Sequence, residues 1–114
     1  MHPKWLERHF RHLHQALAAL EEGDATAACY NAYVSAEALA KGALGYHPYG
    51  QAESIKRLPA LVREIFGGNP PPDAEKCAQC LEREAFSNDA QTCIKCAELL
   101  ADLIHNHLKT TKPT

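Results

Sequence analysis

The chain has 114 residues, which is enough for one hydrophobic core but not for two, so we expect a single domain. Its 14 Asp and Glu residues outnumber its 12 Lys and Arg residues, and this excludes the bulk positive field that binds nucleic acid indiscriminately, so any contact with a nucleotide or RNA needs a local patch. The sequence contains no run of about 18 apolar residues, and its first residues lead into charged ones, so we expect a cytoplasmic protein without a membrane span.

Apolar residues recur with helical spacing from the start of the chain. The first predicted helix, residues 3–22, carries one apolar stripe with intervals of four and three residues, which we expect to face the core. Gly23 ends this helix and Asp24 can cap the next. The second predicted helix, residues 25–44, is rich in alanine, which favours helix and allows close approach of a neighbouring helix. The stripe of the first helix consists of Leu6, Phe10, Leu13, Leu17 and Leu20.

Three further helices are predicted after the loop at residues 46–50. The third is short and ends at Gly67, with Pro59 best placed in its first turn. Asp73 caps a fourth helix that runs to about residue 85, and Asn88 or Asp89 caps a last helix that runs to about residue 108. The apolar positions of the third helix are Ile55, Leu58, Leu61, Val62 and Ile65, and those of the last are Cys93, Cys96, Ala97, Leu100, Ile104 and Leu108.

These elements contain no strand pattern and are joined by short connections. The sequence therefore predicts an all-α, up-and-down antiparallel bundle of four to five helices. We expect one domain over residues 1–109, followed by a frayed tail at residues 110–114.

Four cysteines in the last two predicted helices form a mirror-symmetric pattern about a point between Phe86 and Ser87. In an antiparallel hairpin that turns there, facing Cα atoms of helices packed ~8–10 Å apart come within disulfide reach, at roughly 5.5 Å. Cross-linking demands this symmetry, whereas burial does not. We therefore predict two disulfides between the last helices. The predicted pairs are Cys77 with Cys96 and Cys80 with Cys93.

Two alternatives for these cysteines remain open. The repeated Cys-x2-Cys spacing is similar to a zinc site, because four thiolates can surround the ion tetrahedrally, although helix-forming residues fill both gaps. Reduced cysteines would instead pack as small apolar side chains. Disulfides are rare inside cells except in some hyperthermophiles. We expect no cofactor, with zinc at Cys77, Cys80, Cys93 and Cys96 as the alternative, and we expect Cys29 to stay unpaired in the second helix.

The run from Ala27 to Leu44 resembles the central helix of the HEPN family, the higher eukaryotes and prokaryotes nucleotide-binding domains. In that family a stretch of small residues leads into Ala-Glu and then, after a few residues, Lys and Leu. The order of the other predicted helices also agrees, but residues 54–58 lack the His of the family's His-x-Leu segment. The resemblance implies an up-and-down bundle, often a homodimer and often encoded beside a minimal nucleotidyltransferase.

A stripe of charged and aromatic residues on the second helix is the candidate ligand surface. Glu37 and Lys41 stand at i and i+4, the favoured order for a helical ion pair. They can form a half-buried pair whose stems cover the bundle, or a patch in which Lys41 meets a phosphate and a tyrosine stacks on a base. The candidate ligand-binding residues are Lys41, Glu37, Tyr33, Tyr30, Tyr46 and Tyr49.

Ribonuclease chemistry is the catalytic alternative. The resemblance implies that a HEPN protein can cut RNA through an Arg and a His with four to six residues between them. In such a pair histidine exchanges protons near neutral pH, while arginine holds the charge that develops on the phosphate. Arg8 and His14 fit that spacing, but the family carries the motif near its last core helix. We expect Trp5, His9 and His12 to border the apolar stripe rather than to bind a metal.

The sequence therefore favours a non-enzymatic, HEPN-like module that binds nucleotide or RNA. Its expected partner is a minimal nucleotidyltransferase in a toxin–antitoxin type pair, and its expected state is a homodimer. The first alternative is a metal-independent ribonuclease toxin that acts as a dimer, and the second is a purely structural partner subunit without nucleotide affinity.

Overall fold

The computed structural model describes residues 1–49, 56–84 and 89–111, and it places five α-helices and no strand in these ranges. This confirms the predicted all-α bundle. Ile55, the predicted turn between Phe86 and Ser87, and residues 112–114 of the predicted tail lie outside the described residues. The helices are α1 (Pro3–Glu21), α2 (Ala25–Ala43), α3 (Leu58–Ile65), α4 (Pro72–Glu84) and α5 (Ala90–Thr111).

Local capping bonds start two of the helices where the sequence predicts. The Asp24 carboxylate accepts the Ala27 backbone N–H at 3.0 Å, after Gly23 has turned the chain with a φ of 76°. The Asp89 carboxylate accepts the Thr92 N–H at 3.3 Å and begins α5. Asp73, by contrast, lies inside the first turn of α4, which begins two residues earlier than a cap at Asp73 predicts.

The central helix is α2, which contacts each of the other four helices. Its alanines allow this, because small side chains let the helix axes approach closely. The buried residues of α2 are Ala28, Cys29, Ala32, Ser35, Ala36, Ala38, Leu39, Ala40 and Gly42. Opposite them, the core is completed by fully buried leucines such as Leu58, Leu61, Leu81 and Leu100.

Helix α1 does not bury the face that its leucine stripe predicts. Its buried residues are Trp5, His9, Ala16 and Ala19, whereas Phe10 is 50% exposed and Leu17 is 39% exposed. The reason is that Ala16 and Ala19 on the buried face join the alanines of α2 in the core, and that Trp5 and His9 form hydrogen bonds with residues far away in the sequence. Leu6 and Leu20 pack only at the edge of the core. The prediction that the stripe faces the core is therefore wrong for Phe10 and Leu17.

None of the helices in the described part of the chain combines the length and the apolar character that a membrane crossing requires.

Candidate functional site

A cleft of about 210 Å³ opens where α1 and α2 meet the loop after α2. Among the described residues that line it, two side chains are cationic and one is anionic. Because ligand pockets generally measure ~300–1,000 Å³, this cleft holds only part of a nucleotide-sized ligand. The lining residues are Trp5, Arg8, Val34, Glu37, Ala38, Lys41 and Pro48.

Helix α1 approaches α2 very closely where Trp5, a residue of the cleft lining, lies against Gly42. A Cβ atom at Gly42 would lie 2.7 Å from the Trp5 Cβ, so no larger residue fits without movement of α1. The Trp5 indole N–H donates to the Tyr46 carbonyl at 2.7 Å and holds the loop after α2 against α1. These contacts fix the position of Trp5, one of the residues that line the cleft.

Arg8 is held at the mouth of the cleft by neutral groups. Its guanidinium lies 5.0 Å from the centre of the Trp5 ring and donates to the Pro48 carbonyl at 3.2 Å. Within the described residues, no carboxylate is found within ion-pair distance of Arg8. Its positive charge is therefore available to an anion in the cleft.

The second cation of the cleft belongs to a chain of contacts along α2. The Lys41 ammonium lies 3.7 Å from a Glu37 carboxylate oxygen, and the two side chains are 21% and 29% exposed. The other Glu37 oxygen accepts the Tyr33 hydroxyl at 3.3 Å. Burial, followed by the negative charge of Glu37, raises the pKa of Tyr33 well above its ordinary value, so this hydroxyl remains a hydrogen-bond donor to Glu37.

The structure brings together only some of the residues that the sequence predicted for ligand binding. Lys41 and Glu37 line the cleft and Tyr33 contacts Glu37, but Tyr30, Tyr46 and Tyr49 are not among its lining residues. The Tyr46 backbone carbonyl accepts the bond that holds Trp5, which does line the cleft. Tyr49 is 62% exposed and packs edge-on to His2 and His47, while Tyr30 is 48% exposed.

Arg8 and His14, the candidate catalytic pair, do not lie together in the structure. Arg8 lines the cleft, whereas His14 is exposed and does not. Six residues along an α-helix correspond to a rotation of about 240° and a rise of about 9 Å, so the two side chains point to different sides of α1. A contact between Arg8 and His14 across two subunits stays a prediction of the ribonuclease alternative.

His9 is part of the core rather than a cover for it, contrary to the sequence-based expectation. It is 1% exposed, and its Nδ1 lies 2.9 Å from the Ser35 carbonyl and 2.8 Å from the Ser35 hydroxyl. The Ser35 hydroxyl donates to the His9 carbonyl at 2.9 Å, so Nδ1 carries the proton. The neighbouring His12 contacts the Asn31 side chain, and both bonds join α1 to α2.

The buried imidazole predicts a pH dependence of stability. Burial lowers the pKa of His9 below 6.5, and the nearby His105 lowers it further, while the bond to Ser35 raises it. The unfolded chain therefore binds more protons, so the free energy of unfolding should be fully present above pH 6.5 and fall as the pH is lowered below that value. Urea unfolding followed by circular dichroism at pH 7.5, 6.5 and 5.5 measures this slope.

Two variants separate His9 from the other histidines. His9→Gln should flatten the slope below pH 6.5 although the protein is less stable at every pH, and His14→Gln, at an exposed position, should retain the wild-type slope. An unchanged slope in His9→Gln would show that His9 is not the group responsible.

The cysteines pair differently from the prediction. Cys93 forms a disulfide with Cys29, with 5.2 Å between the Cα atoms, and this bond joins α5 to α2. The predicted Cys80–Cys93 bond is therefore wrong, and so is the expectation that Cys29 is unpaired. Cys77 and Cys96 do meet between α4 and α5, but as thiols rather than as a disulfide.

The disulfide also removes one ligand from the four-thiolate zinc alternative. Over residues 1–49, 56–84 and 89–111, no group of three or more His, Cys, Asp or Glu side chains is arranged to hold a metal ion. The register of α4 against α5 was predicted correctly for one pair, whereas Cys93 points toward α2 because α5 packs against both helices.

Sequence reasoning missed Trp5, Arg8 and Pro48 as neighbours of Lys41. The bonds that join the first two to the loop after α2 span 40 and 41 residues, and no local pattern reports such a contact. The only sequence signal was the small residue Gly42 beside Lys41. A glycine permits the close approach of another helix, but it does not show which helix approaches.

Comparison with known proteins places the chain in a family but identifies no individual relative. The family model for the HEPN domain matches residues 2–107. No curated protein and no solved structure matches the chain. The matched range contains nearly the whole bundle, including both walls of the cleft, and the chain therefore belongs to the HEPN family.

Proposed function

We propose that the chain is a binding module for nucleotides or RNA, and that the cleft between α1 and α2 takes a phosphate group. Membership in the HEPN family supports a nucleotide- or RNA-related helical module. The observation that carries the proposal is that Arg8 and Lys41 line one cleft, while Glu37 is the one carboxylate that lies beside them in the part of the chain that the structure describes.

In this proposal the two cations act differently. Arg8 presents the N–H groups that do not contact Pro48 to the phosphate, because its position over Trp5 leaves the edge of the guanidinium accessible. Lys41 is held near the cleft by Glu37 and turns its ammonium group to the phosphate when the ligand enters. The small volume of the cleft suits a phosphate with part of its sugar, so the base would lie outside it.

The chain offers a direct probe of binding, since Trp5 is its single tryptophan and lies in the cleft wall. We expect a nucleoside triphosphate or a short RNA oligomer to change Trp5 fluorescence and to release or absorb heat in calorimetry. Arg8→Ala or Lys41→Ala should raise the Kd by about 10- to 150-fold, because a hydrogen bond to a charged group contributes about 1.5–3 kcal/mol. Tyr33→Phe should have a smaller effect, since it removes only the bond to Glu37.

Matched controls come from exposed cations outside the cleft. Arg11→Ala on α1 and Lys95→Ala on α5 should change the Kd less than about two-fold, because exposed charges away from the ligand contribute little. Wild-type protein that binds neither ligand, or cleft variants that bind as well as these controls, would contradict the proposal.

We further propose that the module works as a homodimer and as the partner of a minimal nucleotidyltransferase in a toxin–antitoxin type pair. The resemblance to the family supports this association. The uncovered face of α1 also supports a protein contact, because Phe10 and Leu17 are large apolar side chains that the chain itself leaves exposed. A nucleotidyltransferase gene beside the gene for this chain would favour the same association.

A further inference from the structure

Three thiols gather between α4 and α5, apart from the Cys29–Cys93 disulfide. Cys77 and Cys80 lie one turn apart on α4, and Cys96 lies opposite them on α5. Because α4 packs against α5, the Cys96 thiol comes within interaction distance of both of them. One sulfur therefore has two possible bonding partners.

The three thiols differ in their access to solvent. Cys77 is buried, with 6% of its surface exposed, whereas Cys80 and Cys96 are half-buried. A small reagent can thus reach a thiol at the rim, and a second thiol stands behind it. This is the arrangement that a mixed disulfide needs in order to resolve within the protein.

We propose that Cys77, Cys80 and Cys96 form a reversible dithiol site, in which Cys96 bonds to Cys77 or to Cys80 when the protein meets a small dialkyl disulfide. A deprotonated rim thiol attacks one sulfur of the small disulfide, RSSR, which forms a mixed disulfide and releases one RS⁻. A second thiolate of the group attacks the protein sulfur of that mixed disulfide and releases the other RS⁻. Two protein thiols are oxidised, and RSSR is reduced to two RSH.

The remaining thiol gives the site a second property. It lies beside the new disulfide, so it can attack the Cys96 sulfur. This attack exchanges the partner of Cys96, from Cys77 to Cys80 or the reverse, without any further oxidant. Burial raises the pKa of Cys96 to about 11 and also raises that of Cys77, so both are protonated at neutral pH and the exchange should accelerate as the pH rises. In the oxidised protein α4 is tied to α5.

The test counts thiols on the full-length protein and then maps the bond. Purified protein is incubated with oxidised glutathione at pH 8, denatured, alkylated and weighed. We expect three alkyl groups before oxidation, from the three cysteines outside the disulfide, and one afterwards. Trypsin separates the relevant cysteines, because Cys77 and Cys80 fall in peptide 77–83, Cys93 in peptide 84–95 and Cys96 in peptide 96–109. The expected new species joins peptide 77–83 to peptide 96–109.

Variants identify the shared sulfur. Cys96→Ser should abolish the new cross-link, whereas Cys77→Ser and Cys80→Ser should each still form it and leave no alkylatable thiol. Retention of all three thiols, glutathione adducts without a cross-link, or a bond confined to peptide 77–83 would overturn the proposal. Circular dichroism of each variant separates a loss of the bond from a loss of the fold.

Discussion

Reduction of the Cys29–Cys93 disulfide should lower the free energy of unfolding by about 4 kcal/mol. The bond closes a loop with a sequence separation of 64 residues, and its loss restores conformational entropy to the unfolded chain. It also joins α2 to α5 at a point where both cysteines are fully buried. Urea unfolding followed by circular dichroism, with and without a phosphine reductant, measures the difference.

The control for this prediction is a cysteine outside the disulfide. Cys80→Ala should show the same response to reductant as the wild type, whereas Cys29→Ala should show almost none, because its bond is already absent. Alkylation of denatured protein gives an independent count, with three reactive thiols before reduction and five after it. Five reactive thiols before reduction would contradict the disulfide.

Side chains at Gly42 should destabilise the protein and displace Trp5. Helix propensity alone predicts that Gly42→Ala stabilises α2 by about 1 kcal/mol. The added Cβ would however lie 2.7 Å from the Trp5 Cβ, which is fixed by the bond between its indole and the Tyr46 carbonyl. Because overpacking costs typically 1–3 kcal/mol, we expect a net loss in Gly42→Ala and a loss of about 2–3 kcal/mol in Gly42→Val.

Two measurements separate the clash from an effect on the helix alone. Thr26 is exposed near the start of α2, so Thr26→Ala and Thr26→Val should change the free energy of unfolding by less than about 0.5 kcal/mol. Trp5 fluorescence should shift toward that of a solvated indole in both Gly42 variants and stay unchanged in both Thr26 variants. A Gly42→Ala protein that is more stable than the wild type would show that α1 moves away from the added Cβ without a loss in the free energy of unfolding.

Much of the helical framework could be predicted because its causes are local. The N-terminal caps at Asp24 and Asp89 bind backbone N–H groups three residues ahead, and Pro59 occupies the first turn of α3. The contact of Glu37 with Lys41 follows from i,i+4 spacing on one helix. Each of these interactions lies within one helical turn, so residue type and spacing are sufficient to predict it.

The cleft could be predicted only in part. Lys41 and Glu37 were identified from the resemblance of α2 to a family helix. Arg8 was identified only by its spacing from His14, and the two side chains point to different sides of α1. The contacts that bring Arg8 to the cleft join it to Trp5 and, 40 residues away, to Pro48. Periodicity carries no information about a partner at that distance.

The sequence by itself determined that the chain forms helices, where most of them begin, and which residues of α2 share a stripe, because those features depend on hydrogen bonds and spacing within a few residues. Only the tertiary structure decided which face of α1 is buried and that Cys93 bonds to Cys29. The leucine stripe is the more apolar face of α1, but the face with Trp5 and His9 fits the alanines and Gly42 of α2 and bonds with Tyr46 and Ser35. Shape and hydrogen-bond partners across the bundle therefore outweighed apolar periodicity.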